Sequence, residues 1–175
     1  MHSSAFADAK AFFIDYIYTQ SIAAESINVL DVGSKNVNGT LTSLMPHAWE
    51  YHGIDIEAGD NVTHVVPKSF PWPFPDGHFG CAVCTQVYEH LRKPGQMSRE
   101  VFRLLRPGSL YYVCAPNSLA YHPYPIDCFR YFADGLASVV DDGGFEILAA
   151  YHSETGPDGV GDTTVIARKP ADSIS

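Results

Sequence analysis

The stretch Val29-Leu-Asp-Val-Gly-Ser-Lys-Asn-Val-Asn-Gly39 decides the fold that we expect for this chain. It begins with an apolar run that contains a single carboxylate, Asp31, and it turns at once at Gly33. A buried strand that ends in a tight glycine turn is typical of an open α/β sheet, whose ligands bind beyond the carboxyl ends of the strands. The stretch therefore predicts both the fold class and the place of a ligand site.

The bulk properties of the chain predict a single globular domain. Of its 175 residues, 46% are apolar and 18% are charged. This suits one domain over residues 1–175, with a helix at 1–22 and a core at 27–169. The formal net charge of −9 argues against nucleic-acid binding. No apolar run is long enough to span a membrane and the N-terminus lacks the pattern of a signal peptide, so we expect no membrane association and a cytoplasmic location.

Strand and helix patterns alternate along the chain and predict a mostly parallel sheet with helices on both faces. The predicted helices cover residues 4–20, 94–105 and 132–142, with a further short helix after Gly39. The predicted strands cover residues 27–32, 50–55, 63–66, 79–85, 109–115, 145–152 and 163–168. The crossover from the second to the third strand has only about six residues, and the next contains four prolines, so both should lack regular helices. The last two strands suggest an antiparallel hairpin at a sheet edge, joined by a long loop.

Cysteine and histidine spacing gives no sign of a metal site. Cys81 and Cys84 form a Cys-x-x-Cys, but residues three apart on a strand point to opposite faces, so they can neither pair nor share a metal. We therefore expect all four cysteines to be reduced thiols in or near the core. The eight histidines include no helical His-x-x-x-His and no Cys/His quartet, so no bound metal is expected.

Polar residues gather where the strands of the predicted sheet end. Asp55 ends the second strand about 20 residues after the glycine turn, and a carboxylate at this position commonly binds a ribose diol. The alternative is a surface carboxylate that caps a turn. The glycine loop lacks the further glycines of a dinucleotide-binding loop, because Lys35 stands where a second glycine would be. The loop therefore disfavours NAD and ATP and favours a cofactor without phosphate.

Several motifs, taken in order, resemble one enzyme family. They are VLDVG with a following glycine, YHGIDI at 51–56, FPDGHF at 74–79, CTQVYEHL at 84–91 and RLLRPGSL at 103–110. Over residues 27–169 the chain is similar to class I S-adenosylmethionine-dependent methyltransferases, and most of all to their small, broad-spectrum type with Glu-His after the fourth strand. The resemblance implies a Rossmann-like seven-stranded sheet in the order 3-2-1-4-5-7-6, with S-adenosylmethionine as the cofactor.

The resemblance also implies cofactor contacts residue by residue. The implied cofactor-binding residues are Asp31, Val32, Gly33, Ser34, Asp55, Ile56, Ser69, Phe70, Gln86 and Val87. Those at the first strand would face the methionine moiety, Asp55 would bind the ribose and Ile56 would pack on the adenine. Since Lys35 departs from the family's second glycine, either the loop bends differently, helped by Asn36 and Asn38, or the cofactor binds more weakly.

The segment HPYPIDCFRYF, residues 122–132, follows the fifth strand at the mouth of the predicted site. Similar segments in the family lie over the acceptor, and the implied substrate-binding residues are Tyr88, Tyr124, Asp127 and Arg130. Alternatively, Asp127 and Arg130 form an internal pair that only orders the loop. A hydroxyl acceptor needs a general base, for which His122 and His90 are the candidates, unless both histidines are structural or solvated.

Together these residues imply methyl transfer from S-adenosylmethionine to a small-molecule acceptor through an oxygen, nitrogen or sulfur nucleophile. The alternative is a domain of the same fold that binds the cofactor or a partner without turnover. Lys35 motivates it, and so does Lys68, which stands in the segment where the family often has an acidic residue for the adenine amine. An NAD-dependent oxidoreductase is opposed by the missing glycines. No large insertion covers the predicted pocket, so a partner or a second copy, as in a homodimer, would complete it.

Overall fold

A seven-stranded sheet forms the centre of the computed structural model, which describes residues 3–20, 22–153 and 159–171. The strands are β1 (Asn28–Val32), β2 (Glu50–Asp55), β3 (His64–Val65), β4 (Phe79–Thr85), β5 (Leu105–Ser118), β6 (Glu146–His152) and β7 (Gly161–Arg168). Their order in the sheet is β3-β2-β1-β4-β5-β7-β6. β7 runs antiparallel to β5 and β6, whereas all other neighbours are parallel. The predicted order and the antiparallel hairpin are therefore confirmed, and residues 154–158 of the loop that joins the hairpin lie outside the described residues.

Three α-helices of the described chain flank the sheet. They are α1 (Ser3–Phe12), α2 (Pro94–Leu104) and α3 (Ala133–Asp141), and α1 continues into a π-helical turn (Phe13–Tyr18). The helix expected after Gly39 is wrong, because only a 3₁₀ turn of three residues forms there, Thr42–Leu44. Thr40 Oγ1 accepts a hydrogen bond from the Thr42 amide at 3.2 Å, a local bond that competes with helix formation. None of the helices in the described ranges is both long and apolar enough to span a membrane.

Each face of the sheet is covered by its own apolar cluster. α1 and its π-helical turn cover one face together with Leu41 and Trp49. α2 and α3 cover the other face, together with aromatic residues of the proline-rich segment, residues 67–78. That segment and the chain between β2 and β3 contain no helix, as predicted. Helices therefore lie on both faces, but irregular chain covers the part of the sheet nearest β2 and β3.

The cysteines are distributed over both faces and the surface. Cys81 belongs to the cluster under α1 and Cys84 to the opposite cluster, which confirms that residues three apart on β4 face opposite sides. Cys81, Cys84 and Cys114 are buried free thiols. Cys128 is also free but exposed, because it lies on the loop after β5 rather than on a strand. The expectation of a core or near-core position is therefore wrong for Cys128.

Two side chains of α2 hold the proline-rich segment in place. Arg103 donates to the carbonyl oxygens of Trp72 (3.2 Å) and Phe74 (2.9 Å) and to the carboxylate of Asp76 (2.5 Å). Glu100 accepts from the Trp72 amide at 2.7 Å and from Arg103 at 2.6 Å. These bonds take the place of the backbone hydrogen bonds that a helix would have formed within the segment. The segment is therefore fixed against α2 although it has no regular structure.

Candidate active site

A cavity of about 820 Å³ opens where β1, β2 and β4 end. Its walls are the turns after these strands, the proline-rich segment, the start of α2 and the loop after β5. Cavities of roughly 300–1,000 Å³ hold small molecules and cofactors, and this edge of the sheet is where the sequence predicts a ligand. The expected site residues that line it are Val32, Gly33, Asp55, Ile56, Phe70, Gln86, Val87, His90, His122 and Tyr124.

The turn after β1 requires a glycine for two reasons. Gly33 has a φ of +74°, a left-handed conformation that is costly for residues with a side chain. A Cβ at this position would lie 2.2 Å from Cγ2 of Val87, in the turn after β4. The amides of Gly33 and Ser34 both donate to the carbonyl oxygen of Ile54, at 2.9 and 3.1 Å. The backbone of β1 is thereby tied to β2 and packed closely against the chain that follows β4.

Lys35 contacts both the loop after β2 and the loop after β5. Its ammonium lies 2.8 Å from the exposed carboxylate of Glu57 and 3.3 Å from the hydroxyl of Tyr124. These hydrogen bonds, first the one to Glu57, raise the pKa of Lys35 to about 12. Its methylenes lie against Gly59, where a Cβ would be 2.8 Å from Cγ of Lys35. A glycine on the neighbouring loop therefore accommodates the lysine, a compensation that the sequence reasoning missed.

The loop after β1 bends at its glycines rather than at its asparagines. Gly33 and Gly39 have φ values of +74° and +123°, and neither Asn36 nor Asn38 has a positive φ. Asn36 instead shapes the loop through Oδ1, which accepts from the Gly39 amide at 2.8 Å. An asparagine that bonds a nearby backbone amide closes a turn without left-handed geometry. Asn36 therefore helps the loop to bend, as one of the two expected alternatives requires, but through its side chain and not through left-handed backbone geometry.

Asp55 stands at the end of β2 with its carboxylate held at the cavity wall. Its Oδ1 accepts from the Glu57 amide at 3.1 Å, and its Oδ2 accepts from the Lys35 amide at 3.3 Å. Each carboxylate oxygen can accept more than one hydrogen bond. Both oxygens therefore retain the capacity to bind a pair of hydroxyl groups, as the ribose interpretation requires.

Asp31 is buried behind the cavity wall and is not among the residues that line it. The hydroxyl of Tyr51 donates to its Oδ2 at 2.8 Å. Burial raises the pKa of Asp31 to about 7; the Tyr51 hydrogen bond opposes the rise and the charge of Asp55 adds to it. The resemblance implied that Asp31 contacts the cofactor directly, but Asp31 does not line the cavity. The Asp31 carboxylate instead ties β1 to Tyr51 of the neighbouring strand β2.

Two further residues of the implied cofactor set, Ser34 and Ser69, also lie outside the cavity lining. Ser34 is buried, and its hydroxyl donates to the carbonyl oxygen of Asn61 at 3.4 Å. In the proline-rich segment the neighbouring Phe70 lines the cavity instead of Ser69. Lys68, on the other side of Ser69, also lines the cavity, so the wall at this point combines an aromatic ring with a basic side chain.

Gln86, directly after β4, is fixed from outside the cavity. It has a φ of +56°, which is unusual for a residue with a side chain. Its amide donates to the Cys114 carbonyl at 2.8 Å, and its Nε2 donates to Oδ1 of Asp162 at 2.8 Å. Its Oε1 is buried and has no hydrogen-bond partner within the described chain. Gln86 thus lines the cavity, and its side chain contains a buried acceptor that no described residue uses.

Glu89, His90 and His122 come together at the other side of the cavity. Nε2 of His90 lies 3.4 Å from Oε1 of Glu89, and Nε2 of His122 lies 3.8 Å from the same oxygen. The Glu89 side chain is fully buried, and neither of its oxygens has a hydrogen-bond partner in the described chain. Burial raises the pKa of Glu89 to about 8 and lowers the pKa of His90. Sequence reasoning noted the Glu-His pair but did not select Glu89 as a site residue.

Tyr88, expected to bind the substrate, is a core residue. It is fully buried, and its hydroxyl lies 2.9 Å from that of Ser98 and 3.1 Å from that of Tyr111. The turn Tyr88–His90 is a 3₁₀ turn that directs Tyr88 into the core while Glu89 reaches the cavity. The expectation of a substrate contact is therefore corrected for Tyr88.

Asp127 and Arg130 pair with each other beside the cavity rather than lining it. Arg130 donates to both carboxylate oxygens of Asp127, at 2.6 and 2.8 Å, and also to the Ala120 carbonyl at 3.0 Å. Asp127 Oδ2 accepts from the His122 amide at 2.8 Å. The hydrogen bonds from Arg130 hold the pKa of Asp127 well below its usual range. The geometry matches the alternative in which the pair orders the loop.

The family to which this domain belongs follows from comparison with known sequences. A sequence model of a methyltransferase domain matches residues 5–149. The chain belongs to this methyltransferase domain family. A probable S-adenosylmethionine-dependent methyltransferase of Mycolicibacterium smegmatis is 34% identical to it over 89 residues, 46% of this chain and 35% of the relative. The chain thus spans about a third of the length of that curated relative.

Solved methyltransferase structures share the fold. One is the 1,6-didemethyltoxoflavin-N1-methyltransferase of Burkholderia thailandensis with bound 1,6-didemethyltoxoflavin and S-adenosylhomocysteine (TM-score 0.66, 14% identity, 95% of this chain and 84% of that one). Another belongs to a complex of the Haloferax volcanii Trm112 methyltransferase activator with a candidate methyltransferase (TM-score 0.64, 16% identity, 95% and 96%). The expected family, fold and cofactor class are confirmed: this is a methyltransferase domain of the S-adenosylmethionine-dependent type.

Proposed function

We propose that this domain transfers a methyl group from S-adenosylmethionine to a small-molecule acceptor with an oxygen, nitrogen or sulfur nucleophile. The observation that carries the proposal is the division of the cavity. Asp55 stands on β2, whereas Glu89, His90 and His122 follow β4 and β5. Because β1 lies between β2 and β4, the diol-binding carboxylate and the imidazoles occupy opposite sides of one cavity. This arrangement suits a nucleoside on one side and an acceptor on the other.

The residues on the β2 side fit the cofactor. Asp55 can accept two hydroxyl groups, and the apolar side chains of Ile56 and Phe70 line the same cavity, where a flat ring could pack. Gln86 offers a buried Oε1 without a partner, which suits an N–H donor or a positively charged group. These features match the ribose, the adenine and the charged tail of S-adenosylmethionine.

The protein's part in the reaction is to position the reactants and to exclude water. S-adenosylmethionine, when bound, supplies an electrophilic methyl carbon, so alignment of the acceptor contributes much of the rate, roughly 7–11 kcal/mol in favourable cases. His90 and His122 are the proposed groups beside the acceptor's nucleophile, since both line the cavity. Tyr124 is the proposed substrate contact, since it lines the same side.

Titration calorimetry with S-adenosylhomocysteine tests the cofactor site. We expect Asp55→Asn to weaken binding about 10–100-fold, because the ribose loses charge-assisted hydrogen bonds. Asp60→Asn, on the exposed part of the following loop, is the matched control and should bind like the wild type. Transfer of a labelled methyl group to a panel of phenols, amines and thiols then tests turnover. Absence of S-adenosylhomocysteine binding would overturn the proposal.

A domain that binds the cofactor without turnover is the second candidate. The contact between Lys35 and Tyr124, 3.3 Å long, favours it, because it ties the loop on the cofactor side to the loop on the acceptor side. Lys35→Ala removes this contact. Tight S-adenosylhomocysteine binding with no methyl transfer, in the wild type and in Lys35→Ala alike, would support this candidate.

The remaining expectations concern partners and location. A homodimer stays a proposal, supported by exposed aromatic side chains along the loop after β5, namely Tyr121, Tyr124, Phe129 and Phe132. Light scattering of the wild type and of Phe132→Ser measures the oligomeric state, and a monomeric wild type would refute the dimer.

The net charge of −9 supports a small molecule rather than a nucleic acid as the acceptor. The cytoplasmic location stays a prediction.

A further inference from the structure

The cluster of Glu89, His90 and His122 has the geometry of a metal site. One ligand atom from each residue can be chosen so that all three lie within 4.8 Å of one another. Two atoms bound to one ion at about 2.0–2.2 Å each cannot be more than about 4.4 Å apart. The distances from Oε1 of Glu89 to the two Nε2 atoms, 3.4 and 3.8 Å, are within this limit. A small shift of His122, whose side chain is 37% exposed, brings its ring nitrogen within the same limit of the His90 nitrogen.

Both histidines are held in the form that binds metal. Nδ1 of His90 lies 2.6 Å from the carbonyl oxygen of Ile126, which can only accept, so Nδ1 carries the hydrogen and Nε2 keeps its lone pair. Nδ1 of His122 lies 3.1 Å from the carbonyl of Ala120 and 3.3 Å from Oδ2 of Asp127. Metal-binding histidines usually donate their second N–H to a carbonyl or a carboxylate. Each ring therefore turns its free nitrogen toward Glu89.

Arg130 does not contradict this assignment for His122. Its Nη2 lies 3.3 Å from Nδ1 of His122, but it also donates to Asp127 at 2.8 Å and to Ala120 at 3.0 Å. The two shorter bonds use both hydrogens of Nη2. Nδ1 of His122 is thus left to donate to the same carbonyl and carboxylate oxygens.

The burial of Glu89 is the second, independent observation. Its side chain is fully buried and neither oxygen has a hydrogen-bond partner in the described chain. A buried carboxylate without a partner is costly, and proteins tolerate such groups mainly when they are paired or coordinate a metal. The carboxylate also lines the cavity, so an ion bound to it would keep open positions on that side.

We propose that Glu89, His90 and His122 bind one divalent transition-metal ion at the acceptor side of the cavity. Two imidazoles and one carboxylate suit Zn²⁺, Mn²⁺ or Fe²⁺, whereas Mg²⁺ prefers oxygen ligands only. No such ion was expected from the sequence, because the ligands come from two distant loops rather than from one spaced motif.

The ion has a role in the reaction that rests on the proposed function. An acceptor oxygen that occupies an open position of the ion loses its proton to water more readily, because the cation stabilises the anion. The oxygen lone pair then forms the bond to the methyl carbon, and the carbon–sulfur bond breaks toward sulfur. The site therefore selects acceptors with an ionisable oxygen, such as phenols and enols, and His90 and His122 act as ligands rather than as general bases.

Metal binding can be measured without cofactor or acceptor. The purified chain of residues 1–175 is stripped with a chelator, and Zn²⁺, Mn²⁺ and Mg²⁺ are titrated separately by calorimetry, with metal content after dialysis as the second readout. We expect one Zn²⁺ or Mn²⁺ per chain and much weaker Mg²⁺ binding. An absence of Zn²⁺ and Mn²⁺ binding would overturn the metal site while S-adenosylhomocysteine binding, and thus the proposed function, stood.

Variants separate the proposed site from chance binding to surface histidines. Glu89→Gln and His122→Ala should each weaken Zn²⁺ binding at least about tenfold. His47→Ala, which changes an exposed histidine outside the cavity lining, should not. Metal-free Glu89→Gln should melt at or above the wild-type temperature, because it removes a buried carboxylate. Zn²⁺ should raise the melting temperature of the wild type and of His47→Ala, but not that of Glu89→Gln. Equal Zn²⁺ affinity in all four proteins would refute the assignment.

Discussion

Asp31 and Asp55 stand at the ends of neighbouring strands but differ in their surroundings. Asp55 lines the cavity and accepts hydrogen bonds from two backbone amides. Asp31 lies behind the wall, 6% exposed, where Tyr51 supplies a hydrogen bond. Burial therefore raises the pKa of Asp31 to about 7. One carboxylate is placed to bind a ligand, whereas the other affects mainly the stability of the fold.

Asp31 makes the stability of the protein depend on pH. Because its pKa in the folded protein is about 7, the folded state keeps a proton that the unfolded state releases near its ordinary pKa of 3.8. The stabilising contribution is full below about pH 4 and is lost as the pH rises through about 7. We expect the melting temperature of the wild type to fall between about pH 5 and pH 8, and to fall less in Asp31→Asn. Thermal unfolding at the two pH values measures the difference.

A second variant checks the cause. Tyr51→Phe removes the hydrogen bond that opposes the pKa rise of Asp31, so the dependence on pH should become steeper. If Asp31→Asn showed the same fall in melting temperature as the wild type, another group would be responsible.

Gly53, in the middle of β2, has no room for a side chain. A Cβ there would lie 2.1 Å from the carbonyl oxygen of Asn61 and 2.7 Å from the hydroxyl of Tyr51. We expect Gly53→Ala to lower the free energy of unfolding by about 2–3 kcal/mol, since the backbone of the loop after β2 must move. Gly135→Ala is the matched control, because a Cβ there has no neighbour within 4 Å and the residue lies in α3.

The control Gly135→Ala is not expected to lower the free energy of unfolding. Alanine in a helix gains up to about 1 kcal/mol over glycine, so Gly135→Ala should be neutral or stabilising. Urea unfolding of both variants gives the comparison. Equal stability of Gly53→Ala and the wild type would show that the loop after β2 is free to move away.

At the scale of elements, the proline-rich segment depends on α2 for its conformation. Arg99 and Arg103 lie four residues apart on the same helix, and the sequence alone does not show which of them contacts the segment. In the structure Arg103 donates to Trp72, Phe74 and Asp76 of the segment. The aromatic wall of the cavity is thus held by one guanidinium.

We expect Arg103→Ala to lower the free energy of unfolding by about 2–3 kcal/mol, because the Phe74 carbonyl loses its donor and the buried Glu100 carboxylate loses its cationic partner. Arg99→Ala should change it by less than about 0.5 kcal/mol. The emission of Trp72, which is 5% exposed within the segment, should shift to longer wavelength only in Arg103→Ala. Similar behaviour of the two variants would mean that the segment holds its shape without Arg103.

The sequence predicts elements better than it predicts the orientation of side chains. β2 and β4 have the predicted bounds, because an apolar run between turn residues is a local signal. Tyr88 and Glu89 are different, because a single 3₁₀ turn decides which of them enters the core. The sequence favours the tyrosine for the site and the structure places the glutamate there. The position of His122 beside Glu89 depends on the ion pair of Asp127 and Arg130, which orders the loop after β5. No local sequence pattern predicts this arrangement.

At the scale of the whole molecule, Asp162 connects the N-terminal helix to the cavity. It is fully buried on β7, and its Oδ2 accepts from the hydroxyl of Ser4 on α1 at 2.5 Å. Its Oδ1 accepts from Nε2 of Gln86 at 2.8 Å. Gln86 lines the cavity with a φ of +56°, a conformation that needs support from its surroundings. The orientation of Gln86 therefore depends on Asp162, a residue of β7 that lies 76 positions further along the chain.

Asp162→Ala should affect both stability and ligand binding. The free energy of unfolding should fall by about 2–4 kcal/mol, because two partly buried donors, the Ser4 hydroxyl and Nε2 of Gln86, lose their acceptor. S-adenosylhomocysteine binding should weaken about tenfold, because Gln86 is no longer oriented. Ser4→Ala keeps the contact with Gln86 and should lower stability alone, and Asp141→Ala, an exposed residue at the end of α3, should change neither quantity. If Asp162→Ala lost stability but kept its affinity, then Gln86 would hold its position without the support of Asp162.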